Sequence, residues 1–142
     1  MSTKNKTIVL NFIEEIWNEN RYDKIDEYLS PNFIDYGLPP NLPANREGTK
    51  LWVIGTSKSF EHKTAIEDSV CEENRVMLKI KMQLKHIGVW RDIEPTNLEI
   101  STVGYRFFKL SDDKIIEHWA LIDGNAIENQ LRDLSKGCKT QI

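Results

Sequence analysis

From Arg75 to His86 the chain alternates apolar and polar residues almost without error. Val76, Leu78, Ile80, Met82, Leu84 and His86 share one face, and Arg75, Met77, Lys79, Lys81, Gln83 and Lys85 share the other. A period of two sustained over this length is a long, half-buried strand. Residues 64–71 are expected to pair with it through a Glu72-Glu73-Asn74 turn. Residues 97–110 form another β-rich run with Val103, Tyr105, Phe107 and Phe108. Ser111-Asp112-Asp113 turns the chain, and 114–122 is the last strand. The second half of the chain therefore reads as a long antiparallel meander.

The first half has a different period. Val9, Phe12, Ile13, Ile16 and Trp17 fall at helical spacing within 5–19, giving one apolar stripe. A short helix over 22–29 turns Tyr22, Ile25, Tyr28 and Leu29 inward, and Pro31 helps to stop it. Residues 32–36 look like a short strand. Pro39, Pro40 and Pro43 make 37–45 a loop. A third helix over 46–60 carries Leu51, Trp52, Ile54 and Phe60. A closing helix over 124–134 places Ile127, Leu131 and Leu134 inward. Helices grouped first and strands grouped last mean an α+β fold. No internal repeat or linker interrupts the 142 residues. One domain over 1–142 is expected, with its core over 5–134 and a loose tail at 135–142.

Charge and composition narrow the partners. Nineteen basic residues against 22 acidic ones give a net charge of −3, with no basic stripe. That argues against nucleic acid and against an anionic membrane surface. The longest apolar runs, such as Trp119-Ala120-Leu121-Ile122, are too short to span a bilayer, and the N-terminal stretch is no signal peptide. A cytoplasmic location is expected. Cys71 and Cys138 form no C-x-x-C motif and read as structural or incidental thiols. Histidines at 62, 86 and 118 do not spell a metal site.

A curved sheet covered on one face by helices tends to enclose a cavity, and small-molecule sites prefer such concave, mostly apolar spaces. Polar residues on the inward face are therefore the candidates. His86 ends the inward row of its strand; it is a general base or ligand donor, or a strand-end histidine bonded to a backbone carbonyl. Asp35, before the proline loop, is a carboxylate at a cavity rim or a turn-forming residue. Asp123 is a pocket acid or the N-cap of the last helix. A regular strand puts it on the face opposite His118, five positions away. Arg106, inside an apolar run, is paired with an acid across the sheet or aimed at a ligand. Tyr36, Trp52, Trp90, His118 and Trp119 are candidate substrate-binding or wall residues.

Four stretches together carry a resemblance. They are Phe12-Ile13-Glu14-Glu15-Ile16-Trp17-Asn18, the run Ile25 to Asp35, Lys85-His86-Ile87-Gly88 followed by Ile93-Glu94-Pro95-Thr96, and Lys114-Ile115-Ile116-Glu117-His118-Trp119 with Asp123 beyond. Over about residues 5–132 the chain resembles the SnoaL-like group of the nuclear-transport-factor-two-like superfamily, which includes polyketide cyclases and predicted ester cyclases. The resemblance implies a cone-shaped, curved antiparallel sheet. Three N-terminal helices and a short C-terminal one would cover it and enclose a cavity for a small apolar or ring-bearing carbonyl compound. It also implies a homodimer formed through the outer sheet face, and proton-transfer chemistry without a cofactor or metal. The family's cyclases use an aspartate on the last strand as acid/base; that position is Ala120 here, and alanine cannot move a proton. A pocket histidine of the preceding strand aligns with Arg106, while His86 is retained and Asp35 is retained in kind. The expectation is a cofactor-independent cyclase or isomerase using His86, Asp35 or Asp123, or else a non-catalytic small-ligand-binding domain.

Overall fold

The structure is a computed structural model that describes the backbone of residues 2–140 and the side chains of residues 3–133. Leu134 and Cys138 lie outside the described side chains. The first helix, α1 (Ser2–Phe12), continues as a π-helical stretch over Ile13–Asn18 that buries Ile13, Ile16 and Trp17. The wider turn is closed by Glu19 N–H donating to the Glu14 carbonyl at 2.9 Å. A 3₁₀ turn at Tyr22–Lys24 leads into α2 (Ile25–Tyr28), and β1 (Leu29–Asp35) follows directly. The third helix, α3 (Arg46–Ser59), is capped by the Asn45 side chain, which accepts from Gly48 N–H at 3.0 Å.

Four long strands complete the sheet: β2 (Phe60–Glu72), β3 (Arg75–His86), β4 (Glu99–Ser111) and β5 (Lys114–Ile122). Both β3 and β4 alternate buried and exposed residues along most of their length, as the period of two requires. The tight turn between β4 and β5 has Asp112 and Asp113 at positive φ, 51° and 64°. Two left-handed residues in a two-residue loop match the right-handed twist of the flanking strands. The closing helix α4 spans Gly124–Thr140, so its backbone runs past the point at which the apolar pattern ends.

The five-stranded curved sheet has the order β1-β5-β4-β3-β2. Its meander is antiparallel, but β1 pairs with β5 in parallel. That parallel edge brings Asp35 opposite His118, although they are 83 residues apart. The apolar residues of α1, the π-helical stretch and the inner faces of β3 and β4 form the core, centred on Phe12, Ile16, Leu78, Ile80 and Phe108. Among the described residues no helix is long and apolar enough to cross a membrane.

Candidate functional site

The helices and the inner sheet face enclose a cavity of about 560 Å³. Its wall is largely aromatic and aliphatic: Phe12, Trp17, Phe33, Trp52, Phe60, Trp90 and Phe108 all line it. A few polar side chains also line it, and three of them form one chain. Asp35, His118 and Arg106 are only 3%, 6% and 4% exposed. His118 Nδ1 lies 2.9 Å from Asp35 Oδ1, and its Nε2 lies 3.3 Å from Arg106 Nη1.

The donors and acceptors assign the protons. An ionised carboxylate only accepts, and a guanidinium only donates. Nδ1 of His118 therefore carries the hydrogen, Nε2 accepts from Arg106, and the imidazole is neutral. Asp35 is held on both oxygens: Gly37 N–H donates to Oδ1 at 2.9 Å and Thr49 Oγ1 to Oδ2 at 2.8 Å. Arg106 stacks over Trp17, its guanidinium carbon 4.6 Å from the ring centroid, and among the described residues its buried Nε has no hydrogen-bond partner.

Burial alone would raise the Asp35 carboxyl, but hydrogen bonds from His118, Thr49 and Gly37 hold it below its ordinary value. Burial pulls His118 down; Asp35 opposes this and Arg106 reinforces it. Burial also lowers Arg106 to about 10, with Asp35 acting the other way, so it stays charged at neutral pH. The buried charges of Asp35 and Arg106 thus balance through a neutral imidazole. Thr49 was not singled out by sequence reasoning, because a helical threonine carries no local sign of its distant partner. Thr49→Val keeps the shape and removes a hydrogen bond to a charged group. It should cost about 1.5–3 kcal/mol of stability, read from the midpoint of urea unfolding; a loss within about 0.5 kcal/mol would be that of an ordinary surface change.

The other candidates are placed elsewhere. His86 is fully buried at the end of β3 but does not line the cavity. Its Nδ1 accepts from Thr96 N–H at 3.2 Å, and its ring lies 5.3 Å from Phe60, so it ties the 87–98 loop to the sheet. Burial, partly offset by a hydrogen bond involving Gly88, lowers its pKa. Asp123 is exposed and caps α4, accepting from Ala126 N–H at 2.9 Å. Tyr36 and Trp119 stack on each other at 4.8 Å on the outer side of the sheet, where Tyr36 donates to Glu117, and neither lines the cavity. Trp52 and Trp90 do line it. Ala120 lines it too, facing Arg106 across the strands, and Ala120 and Asp35 flank Gly37. The site's carboxylate therefore comes from β1, while the β5 position holds a methyl group. Among the described residues no group of three or more His, Cys, Asp or Glu could hold a metal ion.

Comparison with known proteins agrees with this architecture. TsrD from Streptomyces laurentii superposes with a TM-score of 0.81 at 17% identity, covering 92% of this chain and 96% of its own. AclR from Streptomyces galilaeus gives 0.82 at 22% identity, covering 94% and 98%. A SnoaL-like polyketide cyclase from Agrobacterium tumefaciens gives 0.74 at 16% identity, covering 89% and 97%. At these identities the likeness speaks for the fold. No curated protein matches the sequence. The model of the SnoaL-like polyketide cyclases matches residues 7–131, which contain the whole sheet and every member of the buried chain. The chain belongs to the SnoaL-like polyketide cyclase family.

Proposed function

We propose that the cavity binds a ring-bearing carbonyl compound and moves a proton next to the carbonyl, with Arg106, His118 and Asp35 as the working groups. The observation that carries this reading is the Asp35–His118–Arg106 chain at the cavity wall. Arg106 donates to the carbonyl oxygen. His118 Nε2, released from Arg106, takes the α-proton, and the C–H electron pair moves onto the oxygen as an enolate held by the guanidinium. Asp35 keeps Nδ1 protonated and stabilises the imidazolium that forms, the role of the acid in a hydrolase triad. Return of the proton to another carbon is an isomerisation. Attack of the enolate carbon on a second carbonyl forms a C–C bond and an alkoxide that takes the proton back from the imidazolium, which is a ring closure. Asp35 itself accepts three hydrogen bonds and acts through His118.

Solvent-deuterium incorporation into 2-tetralone, followed by proton NMR, tests this without knowledge of the natural substrate. The wild type should speed exchange at the α-carbon, and His118→Gln should lower that rate by about 10²–10⁴-fold. Exchange no faster than in buffer, or equal in the variant, would favour the alternative: a cavity that binds without chemistry. That alternative draws on the methyl group of Ala120 where the family's cyclases carry their acid.

Gly55 gives access to the cavity itself. It lines the wall on the same helical stripe as Trp52, Thr56 and Ser59, and a Cβ there would meet nothing within 4 Å. Gly55→Phe should fill the space and weaken binding of the neutral dye N-phenyl-1-naphthylamine at least tenfold in a fluorescence titration. Helix propensity should leave stability unchanged or raise it by at most about 0.5 kcal/mol.

We also propose a homodimer, as the resemblance implies. The outer sheet face exposes Val103 (49%), Tyr105 (49%) and Leu121 (80%) beside the Tyr36–Trp119 stack. Neighbouring Lys79 is exposed and would reach the rim of such an interface. Sedimentation equilibrium should give twice the chain mass, and Leu121→Glu should give one.

A further inference from the structure

The cavity has a second cation, at its mouth. Arg91 and Asp92 form a tight turn at the tip of the 87–98 loop, closed by Trp90 N–H to Ile93 O at 3.1 Å and Ile93 N–H to Trp90 O at 2.8 Å. Both turn residues have positive φ, 47° and 62°. Neither is glycine, so the turn holds left-handed backbone that ordinary residues avoid. The Arg91 guanidinium stacks 4.5 Å over Trp90, and both residues line the cavity. Its Nη1 donates to Asn125 Oδ1 at 3.1 Å and Glu128 Oε1 at 3.2 Å. Its Nη2 packs over Gly124, where a Cβ would lie 2.6 Å away and would push the guanidinium aside. Among the described residues, the N–H groups of Nε and Nη2 meet no acceptor.

The two arginines differ in depth. Arg106 is 4% exposed, whereas the Arg91 side chain is 43% exposed and lies against Gly124. The acids around Arg91 are engaged or face water: Glu128 is shared with Arg132, Asp123 caps α4, and Asp92 is exposed. A ligand whose carbonyl reaches Arg106 leaves its other end beside a fixed guanidinium with free donors. A guanidinium fork suits a carboxylate better than a neutral group. We infer that Arg91 reads a carboxylate at the mouth, so that the ligand class is a ring-bearing keto acid with its carbonyl deep and its acid group outermost. This rests on the proposed use of the cavity.

The test compares two dyes that differ by one anionic group: 1-anilinonaphthalene-8-sulfonate and N-phenyl-1-naphthylamine, its neutral parent. Fluorescence titration of the wild type should show tighter binding of the sulfonate. Arg91→Gln should weaken the sulfonate by about five- to tenfold and leave the neutral dye within about twofold. Glu128→Gln, which replaces the competing carboxylate, should tighten the sulfonate. Gly55→Phe should weaken both at least tenfold. If Arg91→Gln weakens both dyes alike or neither, or if sulfonate binding is not weakened by Gly55→Phe, the inference is overturned while the cavity stands. If neither dye binds the wild type, the reading of the cavity fails and takes the inference with it.

Discussion

Asp35→Ala should destabilise the protein by about 3–5 kcal/mol, far more than loss of a surface carboxylate. The reason is the charge left behind. Arg106 is 4% exposed, and Asp35, bonded to it through His118, is the acid that opposes its desolvation. Removing the acid leaves a buried guanidinium with no counter-charge and a histidine with no acceptor for Nδ1. Gly37 N–H also loses its acceptor, and Thr49 Oγ1 is left with the Asn45 carbonyl at 3.2 Å. Removing both charges should be milder: Asp35→Ala with Arg106→Met should recover much of the loss, because replacing a buried ion pair with apolar groups is often close to neutral. Urea unfolding of the two single variants and the double variant forms a cycle, and strong non-additivity is expected for residues in one network. Single-variant losses that are small and simply add would show that the chain is not energetically coupled.

Acid should unfold the protein in two stages. His62, His86 and His118 are each held below the ordinary 6.5, with burial the leading cause in every case. Below that value the unfolded chain binds protons that the folded chain refuses, so stability falls as the pH drops from about 6.5 toward the folded-state values. For His118 the slope reaches at most about 1.4 kcal/mol per pH unit. Asp35 adds the second stage. Its folded pKa lies below the ordinary 3.8, so its contribution is present above that value and is lost as the pH falls through the folded one. Urea midpoints measured from pH 8 to pH 4.5 should decline below about 6.5, less steeply in His118→Gln. A flat profile between pH 7 and pH 5 would contradict neutral, buried histidines.

The strands were legible because β3 and β4 are half buried, and half-burial writes itself as alternation. The same parity put His86 on the inner face, where it is. Parity fixes the face of a strand but not the position along it, and His86 lies at the end beyond the cavity. The Asp35–His118 contact was hidden for another reason. It depends on β1 adding in parallel to β5, and nothing local in residues 29–36 signals which edge that short strand will join. Of the readings of Arg106 as partner of an acid or donor to a ligand, the structure supplies the acid, reached through His118 and not by direct contact. Asp123 shows its helix-capping alternative, which Gly124-Asn125-Ala126 had already suggested. Arg91 carried no helical or strand pattern, and only the fold brings its loop over the cavity.

Proton transfer in the cavity requires a neutral His118 that carries its hydrogen on Nδ1 and offers Nε2 to a ligand. Long-range ¹⁵N–¹H NMR of histidine-labelled protein at pH 7, with His118→Gln to assign the signals, measures this directly. The expected spectrum has a protonated Nδ1 and an unprotonated Nε2 at residue 118. An imidazolium at residue 118, or hydrogen on Nε2 in the wild type, would leave the site without a base and contradict the proton-transfer reading.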